Sequence, residues 1–221
     1  APRRRLADPM MSEPFSVVPA TRPYPWPWTG QFAPERTALV VTGVQWVHAE
    51  ASVDSLDAFA QIDRLRAALV SAAGIVVVVR HLSSGRPRPL LPASRTPEAE
   101  WFRPPRTGDL QVTAAGHDAF FGSPLDEVLR GRDIDSLMVV GCAAEVTVSS
   151  TVRSANDRGY ECLTVEDAAA PLSAKTGSRE IHSITMSGGI FGAVGRTDDV
   201  LSALARREGD PESERDDRSA R

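Results

Sequence analysis

The sequence predicts an α/β fold: a three-layer α/β/α domain built on a doubly wound, six-stranded, mostly parallel sheet. Three observations carry this. Ile75-Val76-Val77-Val78-Val79 is an unbroken β-branched run, the composition of a strand buried on both faces and so of a parallel sheet. Six apolar segments of this kind alternate with helical patterns, as β-α-β crossovers require. With 221 residues, 42% hydrophobic and 24% charged, the chain can bury a core without a disulfide or metal staple.

The first strand is Ala38-Leu39-Val40-Val41. Asp54 then opens a helix in which Leu56, Phe59, Ile62, Leu65 and Leu69 recur at helical spacing. Gly74 closes it as a glycine past a helix C-terminus does, and the Ile75–Val79 strand follows. Residues 82–108 carry six prolines and no periodicity, the pattern of a long functional loop. Leu110-Gln111-Val112 is a short strand, Pro124–Leu129 a helix, and Ser136–Gly141 a strong strand. Glu145–Asp157 reads as a helix stopped at Gly159, Tyr160–Val165 as a strand and Ser173–Ser183 as a helix. Ile190–Val194 is the last strand, and Asp198 opens a final helix through Leu204. In such a sheet the ligand crevice lies beyond the carboxyl ends of the strands. Those ends are Thr42–Trp46, Arg80–Leu82, Thr113–His117 and Gly141–Thr147.

Outside this core the composition shifts. Eight prolines fall in residues 1–37, including Pro23-Tyr24-Pro25-Trp26-Pro27-Trp28. A Pro-fixed backbone of this kind is an extended arm, and Trp26, Trp28 and Phe32 are expected to present it to an interface. Residues 1–22 are expected to be a flexible tail, 23–206 the domain with its arm, and 207–221 a disordered charged tail. Lys+Arg 25 against Asp+Glu 29 gives a net charge of −4, which argues against nucleic-acid or anionic-membrane partners. No apolar run approaches the ~20 residues that span a bilayer. Arg3, Arg4 and Arg5 precede Asp8, Pro9, Glu13 and Pro14 rather than a continuous apolar stretch, so no secretory signal is expected. Cys142 and Cys162 stand in apolar surroundings and read as buried free thiols of a cytoplasmic protein.

The strand ends carry motifs that resemble the isochorismatase-like cysteine hydrolases, which include nicotinamidases, N-carbamoylsarcosine-type amidases and ureidoacrylate or biuret hydrolases. Ala38-Leu39-Val40-Val41-Thr42-Gly43-Val44-Gln45 is similar to the family's first strand and its Asp-x-Gln ending. Tyr24-Pro25-Trp26-Pro27 resembles the arm of the ureidoacrylate/biuret branch. Ala119-Phe120-Phe121-Gly122-Ser123-Pro124-Leu125 resembles Ser-Ala/Gly-Phe-Phe-x-Thr-x-Leu. Gly141-Cys142-Ala143-Ala144-Glu145-Val146-Thr147-Val148-Ser149-Ser150-Thr151 resembles Gly-x-x-Thr-Asn-x-Cys-Val-x-x-Thr. Glu166-Asp167-Ala168 and Phe191-Gly192-Ala193-Val194 match later landmarks.

The resemblance implies a Cys thiolate nucleophile at a helix N-terminus, an Asp that takes its proton and a Lys that stabilises the pair. Carried over residue by residue, the Asp position is Gly43, the Lys position Ala114 and the Cys position Thr147. No catalytic residue is therefore expected at these places. Thr147→Cys alone is not expected to give thiolate reactivity; its combination with Gly43→Asp and Ala114→Lys is the variant to try. Thr147 lacks a base. His117, Asp118 and Glu145 flank the crevice as a conceivable rebuilt acid/base set. The nicotinamidase branch also holds a metal through Asp and His. Here His48 and His81 have no carboxylate at metal spacing, and neither metal nor cofactor is expected. The Gly141–Thr147 turn is expected to keep backbone N–H groups directed at an anion or carbonyl. The ligand-binding candidates are Gln45, His48, His117, Ala143, Val146 and Thr147.

The expected function is that of a catalytically inactive subunit, structural or regulatory. It would assemble as a homo-oligomer or as a hetero-oligomer with an active paralogue. The alternatives are an amidohydrolase with an unorthodox site for a small amide or ureido C–N bond, or a protein that binds a small amide, ureido or anionic ligand.

Overall fold

The computed structural model describes residues 17–208. Its strands are β1 (Thr37–Thr42), β2 (Ile75–His81), β3 (Leu110–Ala114), β4 (Ser136–Cys142), β5 (Glu161–Ala170) and β6 (Ala193–Gly195). They form one sheet in the order β3-β2-β1-β4-β5-β6, and every pairing is parallel. β1 and β4 lie side by side where the chain reverses its winding direction, the place where open α/β sheets form their crevice.

The helices are α1 (Trp46–Ala51), α2 (Ser55–Ser71), α3 (Leu125–Arg130), α4 (Ser149–Asp157), α5 (Ala174–Gly189) and α6 (Thr197–Glu208). Two features depart from the sequence reading. α1 is a one-and-a-half-turn helix that buries only His48 and Ala49, too short to show a stripe. The helix expected from Glu145 begins as a π turn, Ala144–Val148, before α4. Strand alternation decides which residue meets which layer. Val41, Val78, Met138 and Leu163 face Phe59, Ile62, Leu65 and Leu69 of α2 and Val200 and Leu204 of α6. Val40, Val77 and Val139 face Leu125 and Leu129 of α3 and Val152 of α4.

The arm belongs to the first of these layers. Trp26 is 0% exposed and packs with Phe32 at 5.4 Å between ring centroids, both within the α2-side core. The expectation that Trp26 and Phe32 sit at an interface is corrected: only Trp28, 71% exposed, is available for one. Pro23, Pro25 and Pro27 break helix formation but do not keep Trp26 out of the core. A two-residue bridge between Val18 and Trp26 folds the arm back on itself. The domain accordingly starts before residue 23, since Val18 is buried and Arg22 bridges Val194 of β6, and α6 carries it to Glu208. Of the tails expected at 1–22 and 207–221, residues 1–16 and 209–221 lie outside the described residues.

Loop 82–108 is irregular apart from a single 3-10 turn, Pro97–Ala99. It is stitched to its own domain. Leu82 N–H donates to Ala114 O at 3.0 Å, and Phe102 N–H donates to Val44 O at 2.8 Å. Leu91 and Ala99 are buried, with Trp101 and Phe102 packed against the α2-side core. Among the described residues no helix is long and apolar enough to cross a membrane.

Candidate functional site

The carboxyl ends of β1, β2, β3 and β4 converge, as the topology requires, and they are packed shut. β1 runs into Gly43 with φ +60°, a left-handed conformation open to glycine. A Cβ at this position would stand 1.3 Å from Cys142 O and 3.0 Å from Thr147 Oγ1. Gly141 (φ +121°) repeats the arrangement from the other side, with its Cβ position 1.9 Å from Thr42 O. The tips of β1 and β4 are thus in backbone contact through two glycines.

Thr147, in the π turn, is 0% exposed. Its hydroxyl donates to Cys142 O at 2.6 Å and lies 2.8 Å from Thr42 Oγ1. Since a carbonyl only accepts, the Thr147 proton is committed there, and the Thr42 hydroxyl lies between Thr147 Oγ1 and Val140 O, the latter at 3.3 Å. A carbonyl is not a base, so nothing in this arrangement can activate Thr147. N–H groups at the end of the turn are also spent: Val146, Thr147 and Val148 all donate to Ala143 O at 3.0, 3.1 and 3.4 Å. The N–H groups expected to be free over the Gly141–Thr147 turn are therefore spent from Val146 onward, because the helix starts early enough for Ala143 O to take them.

Gln45 has no capacity left for a ligand. It is 0% exposed. Its Oε1 accepts from His81 N–H at 2.7 Å, and its Nε2 donates to His81 O at 3.0 Å and Ala99 O at 3.1 Å. It acts as one rung of extra β-ladder between β2 and the loop. Gln45→Ala should take this partner from His81 N–H and His81 O, while Ala99 O keeps the Arg80 guanidinium, and cost about 1–3 kcal/mol for each group left unpaired where water cannot reach. Urea unfolding checks this, and a midpoint unchanged from wild type would count against it.

His48 and His81 are fully buried, with ring centroids 5.7 Å apart. His81 Nδ1 donates to Gly116 O at 2.8 Å, which leaves Nε2 bare, and neither nitrogen of His48 has a hydrogen-bond partner. Burial, reinforced by His81, pushes the His48 pKa down to about 3, with the Leu90 backbone opposing the fall and His117 adding to it. Burial pushes His81 down to about 4, with His117 adding to the fall and the Gly116 bond opposing it. His117 is half-buried and also lowered, by burial and then by Arg88. Among the described residues no group of three or more His, Cys, Asp or Glu is placed to hold a metal ion. The residues present do not fit the metal of the nicotinamidase branch.

The rebuilt acid/base set does not assemble. Asp118 Oδ1 accepts from Phe120 N–H at 2.9 Å, and both Glu145 oxygens accept from Leu172 N–H at 2.9 and 3.1 Å. Each carboxylate holds a turn, and no hydrogen bond joins either to His117 among the described residues. Cys142 and Cys162 are free and buried. Burial raises both thiols, that of Cys142 to about 12, so neither supplies a thiolate at neutral pH. Ala114 ends β3 in the register pair His81↔Ala114 and is 0% exposed. The chain's single lysine, Lys175, stands at the start of α5.

The isochorismatase domain model matches residues 37–199, from the start of β1 into α6. This chain belongs to the isochorismatase family. Within that family it is 30% identical over 117 residues to the isochorismatase family protein YecD of Escherichia coli O157:H7, covering 51% of this chain and 61% of YecD. It is 33% identical over 102 residues to the ureidoacrylate amidohydrolase RutB of Variovorax paradoxus, covering 46% of this chain and 39% of that protein. The match thus spans less than two thirds of either relative. A cysteine hydrolase from Pseudomonas syringae superposes with a TM-score of 0.72 at 24% identity, over 79% of this chain and 95% of its own. That likeness is one of fold, and it fits the six-stranded α/β architecture described above.

Proposed function

We propose that this protein is a non-catalytic member of the isochorismatase family that works as a structural or regulatory subunit, in a homo-oligomer or with an active paralogue. The observation that supports the reading most directly is the buried Thr147. On the family resemblance it occupies the nucleophile's place, its proton is held by a carbonyl, and Gly43 leaves no volume for a carboxylate beside it. Catalytic groups act as a unit, so the loss of one already costs about as much as the loss of all, and putting back a single group restores little. Surface for association is supplied by Trp28, Ile190 and Met186 near the arm, 71%, 51% and 44% exposed, and by Phe121 at 60%. Aromatic and long apolar side chains of this kind anchor interfaces.

The test has two arms. Ureidoacrylate, biuret, nicotinamide and N-carbamoyl amino acids are offered to the purified chain, ureidoacrylate first because relatives act on it. No turnover above the uncatalysed rate is expected. Sedimentation velocity, alone and with an active isochorismatase-family protein of the same cell, should give a species heavier than the 23.8 kDa chain. Turnover by the pure protein overturns the catalytic half of the proposal, and a monomer in both mixtures overturns the half that concerns association.

A further inference from the structure

A second place in the molecule has the make-up of a ligand site. A cavity of about 250 Å³ opens between α2, the ends of β1 and β2, and the loop segment 103–106. Val41, Val44, Phe59, Ile62 and Val78 form an apolar floor, and Arg66, Arg103 and Arg106 stand around it together with one carboxylate, Asp63. It lies on the α2 side of the sheet, with the Val41 and Val78 core. Ala114, Ala144 and Val148 lie in the opposite layer, so the cavity is separate from the closed crevice at Thr147.

The charges around it do not balance. Arg66 Nη1 pairs with Asp109, and Arg106 pairs with Asp63. Arg103 has no carboxylate partner among the described residues; its guanidinium is stacked 5.8 and 5.9 Å from the Phe59 and Phe102 centroids. Three cations against two carboxylates leave one positive charge. Arg66 is 8% exposed, and its buried Nε has no hydrogen-bond partner. With Nη1 taken by Asp109, the edge formed by Nε and Nη2 remains, and that is an edge on which a guanidinium binds a carboxylate through two parallel bonds. A buried donor without a partner costs stability until something accepts from it. Pro104 and Pro105 stiffen the rim, so little ordering is lost when the cavity is filled.

We propose that this cavity binds a small monocarboxylate with a compact apolar body, its carboxylate on Arg66 and Arg103 and its body on the Val41–Phe59–Val78 floor. The test uses the full chain and calorimetric titration with benzoate, phenylacetate and isovalerate. Benzamide serves as the neutral isostere, and sulfate as an anion without an apolar body. At least one of the three carboxylates should bind, and benzamide and sulfate at least about tenfold more weakly. Arg103→Gln removes the unpaired cation from the rim and should weaken binding about tenfold or more while leaving the fold intact. Arg66→Lys keeps the charge near Asp109 but removes the two-donor edge, and should weaken binding to a similar extent even if Arg66→Ala fails to fold. Binding by none of the three carboxylates overturns the proposal. So does sulfate binding as tightly as the carboxylates, or affinity unchanged in both variants.

Discussion

Gly43→Asp is expected to unfold this protein rather than equip it with a base. The new Cβ would fall 1.3 Å from Cys142 O and 2.5 Å from its carbonyl carbon. These are backbone atoms of β4, held by six register pairs to β1, so no side-chain rotation relieves the clash. The positive φ of Gly43 adds about 1 kcal/mol for any residue with a Cβ. The tips of β1 and β4 would have to separate, which breaks the Thr147–Cys142 and Thr147–Thr42 bonds as well. A loss above about 4 kcal/mol is expected, at the far end of what one substitution does. Gly43→Ala isolates the steric part, since it adds the same Cβ without charge. Urea unfolding of Gly43→Ala measures it, and a midpoint near wild type would show that the strand tips part easily. The combined variant Gly43→Asp, Ala114→Lys, Thr147→Cys therefore does not regain thiolate reactivity, contrary to what the family motif suggests. The backbone has closed over the volume the Asp side chain would need.

Stability should fall steeply as the solution is acidified below about pH 6. His48 and His81 are neutral in the folded state because burial depresses their pKa values to about 3 and about 4. In the unfolded chain each titrates near the ordinary value of 6.5. Between these values the unfolded state binds more protons, so stability rises with pH there. It is fully present above about 6.5 and is lost as pH falls toward 4. Each histidine contributes up to about 1.4 kcal/mol per pH unit, and the pair about twice that. Between pH 6.5 and 4 the pair removes up to about 7 kcal/mol, a large share of a typical total of about 5–15 kcal/mol. His48→Leu separates this from the protonation of carboxylates elsewhere. Neither His48 nitrogen makes a hydrogen bond of ordinary geometry, although the Leu90 backbone acts on the ring, so an apolar side chain of similar size should cost no more than about 1 kcal/mol at pH 7 and flatten the slope between pH 6 and 4.5 by about 1.4 kcal/mol per unit. Urea midpoints at a series of pH values decide it; an unchanged slope means that His48 is charged in the folded protein or that the acid loss has another source.

The sheet was legible in the sequence because its strands are unbroken β-branched runs. A strand such as Val76–Val79 has no polar face to turn outward, so burial on both sides and parallel pairing follow from composition alone. α1 was not legible, since six residues span too few turns for a stripe. Trp26 was misread for a related reason. Proline reports local backbone conformation, whereas burial of Trp26 depends on a contact with Phe32 and on the bridge to Val18, neither of which has a periodic signature. The motif positions 43 and 147 were correctly brought together. What the sequence concealed was the consequence of the glycine: Gly43 reads as a missing carboxylate, and in space it is the condition for Cys142 O to sit where a side chain would otherwise stand. The Arg66–Arg103–Arg106 cavity was invisible because its members come from α2 and a loop some forty residues later.

The bridge between Arg22 and Val194 also bears on how this chain behaves in a crowded solution. β6 is an edge strand of three residues, and an open edge offers unpaired N–H and C=O groups to any extended chain that meets it. Arg22 N–H donates to Val194 O at 2.9 Å and Val194 N–H donates to Arg22 O at 2.8 Å, so the arm occupies this edge from within. Arg22 is held there by Glu166, which also takes Arg196. The segment that looks like an appendage therefore works as a guard against self-polymerisation, and the same few residues that plug the core with Trp26 deny neighbouring molecules a template.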